Sequence, residues 1–139
     1  MTRHVLEETA YFLLRVVTAL LFIQAGGMKL FGWFGGMPGG ATAPLWSQIW
    51  IGGVLEVVGG AAIMVGLFTR PIAFILSGQM AVAYWQFHAP SGRWPIQNHG
   101  EMAVLMCFIF LYMAAKGGGD WSLDSLMFRK VGVKPDVTV

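Results

Sequence analysis

Glu56 stands at the centre of the stretch Gly-Gly-Val-Leu-Glu-Val-Val-Gly-Gly, with Gly52, Gly53, Gly59 and Gly60 around it. On a helix, residues three and four apart share a face, so the carboxylate lies on a stripe of glycines against which another helix can press. A carboxylate in such apolar surroundings needs charged or hydrogen-bonding partners, or it takes up a proton. Inside a membrane, an ionisable group of this kind marks a site of proton, ion or ligand handling.

Other groups suited to chemistry fall at similar depth. Arg15, Gln24 and Lys29 lie along one apolar segment, Gln79, Gln86 and His88 along another, and Asn98, His99 and Glu101 open a further one. With a rise of roughly 1.5 Å per residue, most of these side chains belong to one half of their segments, with Arg15 and Gln79 deeper. Helical spacing groups Arg15, Thr18, Phe22, Gly26 and Lys29 on one face, Gln79 with Gln86 on another, and Glu101, Leu105, Phe108 and Tyr112 on a third. Turned inward, these faces make a pocket with polar walls at the outer end and aromatic walls below.

Such a pocket suits a quinone or quinol headgroup. Lys29, Gln86, His88 and His99 would donate to its carbonyls, Glu56 or Glu101 would relay protons, and Phe22, Trp85, Phe108 and Tyr112 would flank ring and tail. The candidate catalytic residues are therefore Glu56 and Glu101. The candidate ligand-binding residues are Arg15, Phe22, Lys29, Trp85, Gln86, His88, Asn98 and His99. His88 and His99 sit at loop ends rather than on facing mid-membrane turns, which argues against a bis-His haem.

The elements that must hold these groups are membrane helices. Of 139 residues, 56% are hydrophobic and 12% charged, and the mean hydropathy of +0.64 lies outside the soluble range. Tyr11 to Met28 carries only Arg15 as a charge, Ile49 to Phe68 carries only Glu56, and Pro71 to Phe87 and Met102 to Ala115 carry none. Each approaches the ~20 residues needed to cross a bilayer, the last when Asn98 to Glu101 joins it. The reading is all-α: one domain, an integral membrane four-helix bundle with spans at about 11–30, 49–68, 71–88 and 99–115, then a cytoplasmic tail, 116–139. A soluble bundle would need polar faces that these segments lack. Glu7 and Glu8 ahead of the first span and Lys29 at its end do not fit a cleavable signal peptide.

Four spans leave both termini on one side. That side collects Arg3, Arg70, Lys116, Arg129, Lys130 and Lys134, against Lys29 and Arg93 opposite, so both termini are expected in the cytoplasm, from a bacterial inner membrane. The net charge of +2 gives no indication of nucleic acid, and the basic tail suits anionic lipid. Cys107 is the single cysteine, which excludes an intrachain disulfide, a CxxC pair or a cysteine metal site. No metal, haem, flavin or iron–sulfur signature is present.

The connections are informative too. The loop of residues 29–47 is glycine-rich, with Pro38, Pro44, Trp33 and Trp46, and suits the membrane interface. Phe68-Thr69-Arg70-Pro71 makes a tight hairpin, with Pro71 in the first turn of the next helix. Between His88 and His99 the chain is punctuated by prolines; Asn98 is expected to cap the last span, with Glu101 in its first turn. Gly117-Gly118-Gly119 ends that span, leaving Trp121 at the inner interface.

Together, Arg15…Gly26…Lys29, Gly52-Gly53…Glu56…Gly59-Gly60, Gly66-Leu67-Phe68-Thr69-Arg70, Asn98-His99-Gly100-Glu101 and Gly119-Asp120-Trp121-Ser122-Leu123-Asp124 resemble the DoxX family over about residues 11–126. The resemblance implies a small four-helix membrane protein. The family's namesake is a subunit linked to quinone-dependent thiosulfate oxidation and a terminal quinol oxidase, and other members are associated with thiol or oxidative-stress redox partners. It also implies functional roles for Arg15, Lys29, Glu56, Asn98 and Glu101. Without paired cysteines, dithiol chemistry has no residues here, so electrons would pass through a bound quinone or a partner's cofactor. Three functions are open at this level: a quinone-reactive subunit, an accessory scaffold docking partner helices, and a carrier of protons or a small solute. Expected partners are the lipid bilayer, a membrane or peripheral redox protein, and further copies of the chain through the glycine stripes.

Overall fold

The apolar segments become helices, and glycines or tertiary contacts end them. Helix α1 (Arg3–Phe31) starts where the Thr2 hydroxyl accepts from the Val5 N–H and stops at left-handed Gly32. Helix α2 (Gln48–Val65) starts at the Ser47 cap, passes through a π-helical turn at Leu55–Gly59, and ends at Gly66. Helix α3 (Thr69–Ala83) runs on into a second π-turn, Tyr84–His88. Helix α4 (Glu101–Lys116) and a short α5 (Leu123–Lys130) complete the chain. The computed structural model describes residues 2–130; residues 131–139, with Lys134, lie outside the described residues. Among the described residues the regular structure is all helix, joined by turns and loops, and the one β-type pairing is an isolated bridge between Met37 and Ala41.

Two of these helices, α1 and α2, are long and apolar enough to cross a membrane. Helix α1 packs along α2, α2 reaches α3, and α3 lies against α4. The core gathers Ala19, Phe22, Ile63, Leu76, Phe110 and Met113. Phe22 and Phe110 meet edge to face at 4.8 Å and tie α1 to α4. The exterior is as apolar as the interior: Leu13, Val17, Val58, Phe74, Ile75 and Leu111 are all exposed. Contiguous apolar surface on this scale needs a non-aqueous surrounding.

Helix α4 corrects one expectation. Glu101, Leu105, Phe108 and Tyr112 do share a face, but it points outward, and the inward face is Ala103, Met106, Phe110 and Met113. Beyond its first residue and before Lys116, α4 carries no charge to mark a side, so shape decides. The inward face sets one ring, Phe110, among the small or flexible Ala103, Met106 and Met113, which fill the space around it.

The segment after α4 is not a loose tail. The Tyr11 hydroxyl donates to the Gly117 carbonyl, and Glu8 accepts from Lys116 Nζ and from the Asp120 N–H, each at 2.8 Å. The Asp124 N–H donates to the Gly66 carbonyl at 2.9 Å, while the Asp124 carboxylate accepts from the N–H groups of Phe68 and Thr69 at 2.7 and 2.9 Å. Helix α3 has no capping side chain of its own, because Phe68 occupies the cap position. Asp124 supplies the cap from 55 residues away along the chain. Gly66 at φ 71 turns the chain, and a Cβ there would lie 2.4 Å from Ser122 Cβ, so only glycine lets the clasp close.

Candidate functional site

Three helices converge on Glu56. Its side chain is 2% exposed, and Lys29, in the last turn of α1, places Nζ 2.5 Å from Oε1. Gln79 of α3 donates from Nε2 to the same oxygen at 3.2 Å and to the Gly52 carbonyl at 3.1 Å. Glu56 lies within the π-turn of α2, a local widening that recurs at functional sites.

The glycines do what their spacing predicts. A Cβ on Gly53 would press on Lys29 and Leu30, and one on Gly60 would press on Ile23, so this side of α2 receives α1. A Cβ on Gly59 would meet Leu76, and one on Gly52 the Gln79 amide, so the adjoining side receives α3. Gly26 answers from α1: its Cβ would sit 2.7 Å from the Gly53 carbonyl oxygen. With side chains at these places, Lys29 and Gln79 would stand too far from the carboxylate to bond.

The centre is half saturated. Oε1 receives two donors, whereas Glu56 Oε2 and Gln79 Oε1 are buried with no hydrogen-bond partner among the described residues. Two buried acceptors beside a cation form a place that accepts a donated hydrogen. Lys29 is a quarter exposed and links this place to the surface. Glu56 does not line either of two hollows in the structure, one beside Arg15 and one between α2 and α3.

The other expected site residues do not gather there. Arg15 is 1% exposed but belongs to the opposite end of the bundle, where its guanidinium donates to the carbonyls of Gly118 and Trp121. It precedes Lys29 by 14 residues, roughly 21 Å of helix. Phe22 is buried in the core against Phe110. Gln86 is exposed and accepts from Gln48 at 2.5 Å. Gln79 and Gln86 do turn to the same side, since both reach the face of α2 that carries Gln48, Gly52 and Glu56, but Gln86 meets it at the exposed end, away from the carboxylate. Trp85, His99 and Glu101 are exposed.

Asn98 is buried, but as a loop organiser rather than a cap of α4. It donates to the Tyr84 hydroxyl and the Gly92 carbonyl and accepts from the Gly100 N–H, while His88 Nδ1 meets the Asn98 carbonyl at 3.1 Å. The cap position of α4 is Gly100. The single pocket expected from depth alone thus divides into an ionic centre at Glu56, a loop cluster at Asn98 and an arginine anchor at the other end. Rise along a helix gives depth and leaves direction around the axis open. Gln79 was legible only as a lone amide in an apolar run, and its partner could not be read from spacing.

An apolar exterior around a buried ionic centre defines a membrane protein. The family model for DoxX matches residues 10–89, a range that holds Arg15, Lys29, Glu56 and Gln79, and the chain belongs to the DoxX family. It is 42% identical to an uncharacterized protein of Haemophilus influenzae, over 86% of this chain and 93% of that one. It is 29% identical to the inner membrane protein YqjF of Escherichia coli, over 90% of this chain and 97% of that one. No solved structure matches it.

Proposed function

We propose that this chain is an integral subunit of a bacterial inner membrane, a four-helix bundle with both termini in the cytoplasm, that binds a quinone or quinol headgroup beside Lys29 and Glu56. The observation that carries the reading is the unpartnered Glu56 Oε2, a buried acceptor next to a cation that reaches the surface. A quinol hydroxyl would donate to Oε2 and a quinone carbonyl would accept from Lys29, so both redox forms find a partner. Reduction of a quinone takes two electrons and two protons. In this reading the electrons come from a redox partner and Glu56 passes protons between the headgroup and Lys29.

Likeness to the inner membrane protein YqjF supports the location, and the exposed apolar surface supports contact with lipid on all sides. The test is solvent extraction of protein purified in mild detergent. The expected result is a stoichiometric quinone in the wild type, lost in Glu56→Gln while the thermal transition persists. Wild-type protein free of quinone, or Glu56→Gln protein that retains it, would contradict the proposal.

One observation favours a second reading. Glu56 already holds an ion pair inside close glycine contacts, which is how a structural pin would be built. In that case the chain is a non-catalytic scaffold, and Glu56→Gln disturbs co-purification of a partner while leaving bound quinone unchanged.

A further inference from the structure

The hollow beside Arg15 is unrelated to the ionic centre at Glu56. It is an open cleft of about 490 Å³ at the end of the bundle where α2 stops, walled by α1, the last turn of α2 and the C-terminal segment. Phe12, Met64, Val65, Trp121 and Leu126 make most of its wall apolar; Arg15 and Asp120 are its two charges.

Arg15 is the unusual member. It is 99% buried by area, its terminal nitrogens donate to the Gly118 and Trp121 carbonyls, and among the described residues no carboxylate bonds to it. Its Nε–H is buried with no partner among the described residues. Besides those carbonyls the guanidinium meets only the Phe12 ring, 5.4 Å to its centroid, among the described residues, and an unmade bond to a buried charged group is expensive. Asp120, about half exposed, meets His4 Nε2 at 3.0 Å. The polar end of the cleft thus offers one cation with a free donor and one carboxylate, above an apolar wall.

We infer that this cleft is a phospholipid site selective for a zwitterionic headgroup with a primary amine, its phosphodiester at Arg15, its ammonium at Asp120 and an acyl chain along Val65 and Leu126. A purely anionic lipid would leave Asp120 opposed, and a quaternary amine has no N–H to give it. A free headgroup would leave the apolar wall wet. This reading requires the chain to lie in a membrane and is independent of quinone binding.

The experiment uses the full chain reconstituted in equimolar phosphatidylethanolamine, phosphatidylcholine and phosphatidylglycerol, gently extracted, with retained lipids counted by native mass spectrometry. Replacing Arg15 would release the residues it anchors, so the variants are Asp120→Asn and Leu126→Trp. Phosphatidylethanolamine should be enriched about fivefold over phosphatidylcholine, the worth of one half-exposed ion pair. Asp120→Asn should abolish that preference while lipid is still retained, and Leu126→Trp should exclude the lipid without changing the thermal transition. Soluble glycerophosphoethanolamine should fail to displace it. Retained lipids that mirror the bulk mixture, a preference unchanged in Asp120→Asn, retention in Leu126→Trp, or displacement by the soluble headgroup would each overturn the assignment.

Discussion

Lys29 and Glu56 are not equal partners. Lys29 is a quarter exposed and can turn its ammonium towards the interface when its partner is lost, whereas Glu56 at 2% exposure has nowhere to go. Lys29→Met should therefore destabilise the protein by about 3 kcal/mol, the range for stranding a buried charge. Glu56→Gln should cost closer to ~1 kcal/mol, because the amide keeps a bond with Gln79. Combining the two should recover most of the Lys29→Met loss, and a double-mutant cycle on chemical unfolding in detergent measures this. Of the site, Glu56 and its glycine stripe were legible because a lone acid among glycines is a local pattern. The choice of Lys29 over Arg15 was not legible, since it depends on which end of α1 lies beside the π-turn.

Helix faces are read from spacing, but their direction is read from shape. Gly26 and Gly78 look alike in sequence, both glycines within apolar helices. A Cβ on Gly26 would lie 2.7 Å from the backbone oxygen of Gly53, whereas one on Gly78 meets nothing within 4 Å. Gly26→Ala should destabilise by about 2 kcal/mol through forced separation of α1 and α2. Gly78→Ala should stabilise by up to about 1 kcal/mol through helix propensity. Thermal unfolding of the two single variants tests the contrast. Asp124→Ala should cost about 1–2 kcal/mol by leaving the start of α3 uncapped, seen as faster amide exchange at Phe68 and Thr69. The apolar segments were legible from composition, but α1 begins at Arg3, eight residues ahead of the expected start at 11. The outward face of α4 was not, because an almost uniformly apolar helix carries no polarity to orient it.

Over the whole molecule, the C-terminal segment closes one end of the bundle, and charge holds it there. Burial alone would raise the Glu8 carboxyl, but the Asp120 N–H and the Lys116 ammonium outweigh it and hold the group below its ordinary 4.5. Burial alone would lower Lys116, but its bond to Glu8 outweighs that and raises it above 10.5. The stabilisation from Glu8 is therefore present above pH 4.5 and is lost as pH falls through the depressed value; that from Lys116 is present below pH 10.5 and is lost as pH rises through the raised one. The thermal midpoint should fall at the acid limb, and Glu8→Gln should flatten that limb. The docking of this segment was hidden in sequence because its contacts join residues far apart along the chain, 55 positions for Asp124 with Thr69 and 112 for Asp120 with Glu8.

Redox-difference infrared spectroscopy on quinone-loaded protein in lipid nanodiscs addresses the central claim most directly. The account predicts a carboxyl C=O band that changes as the quinone is reduced and disappears in Glu56→Gln. An unchanged band in Glu56→Gln, or reduction with no carboxyl signal in the wild type, would contradict it.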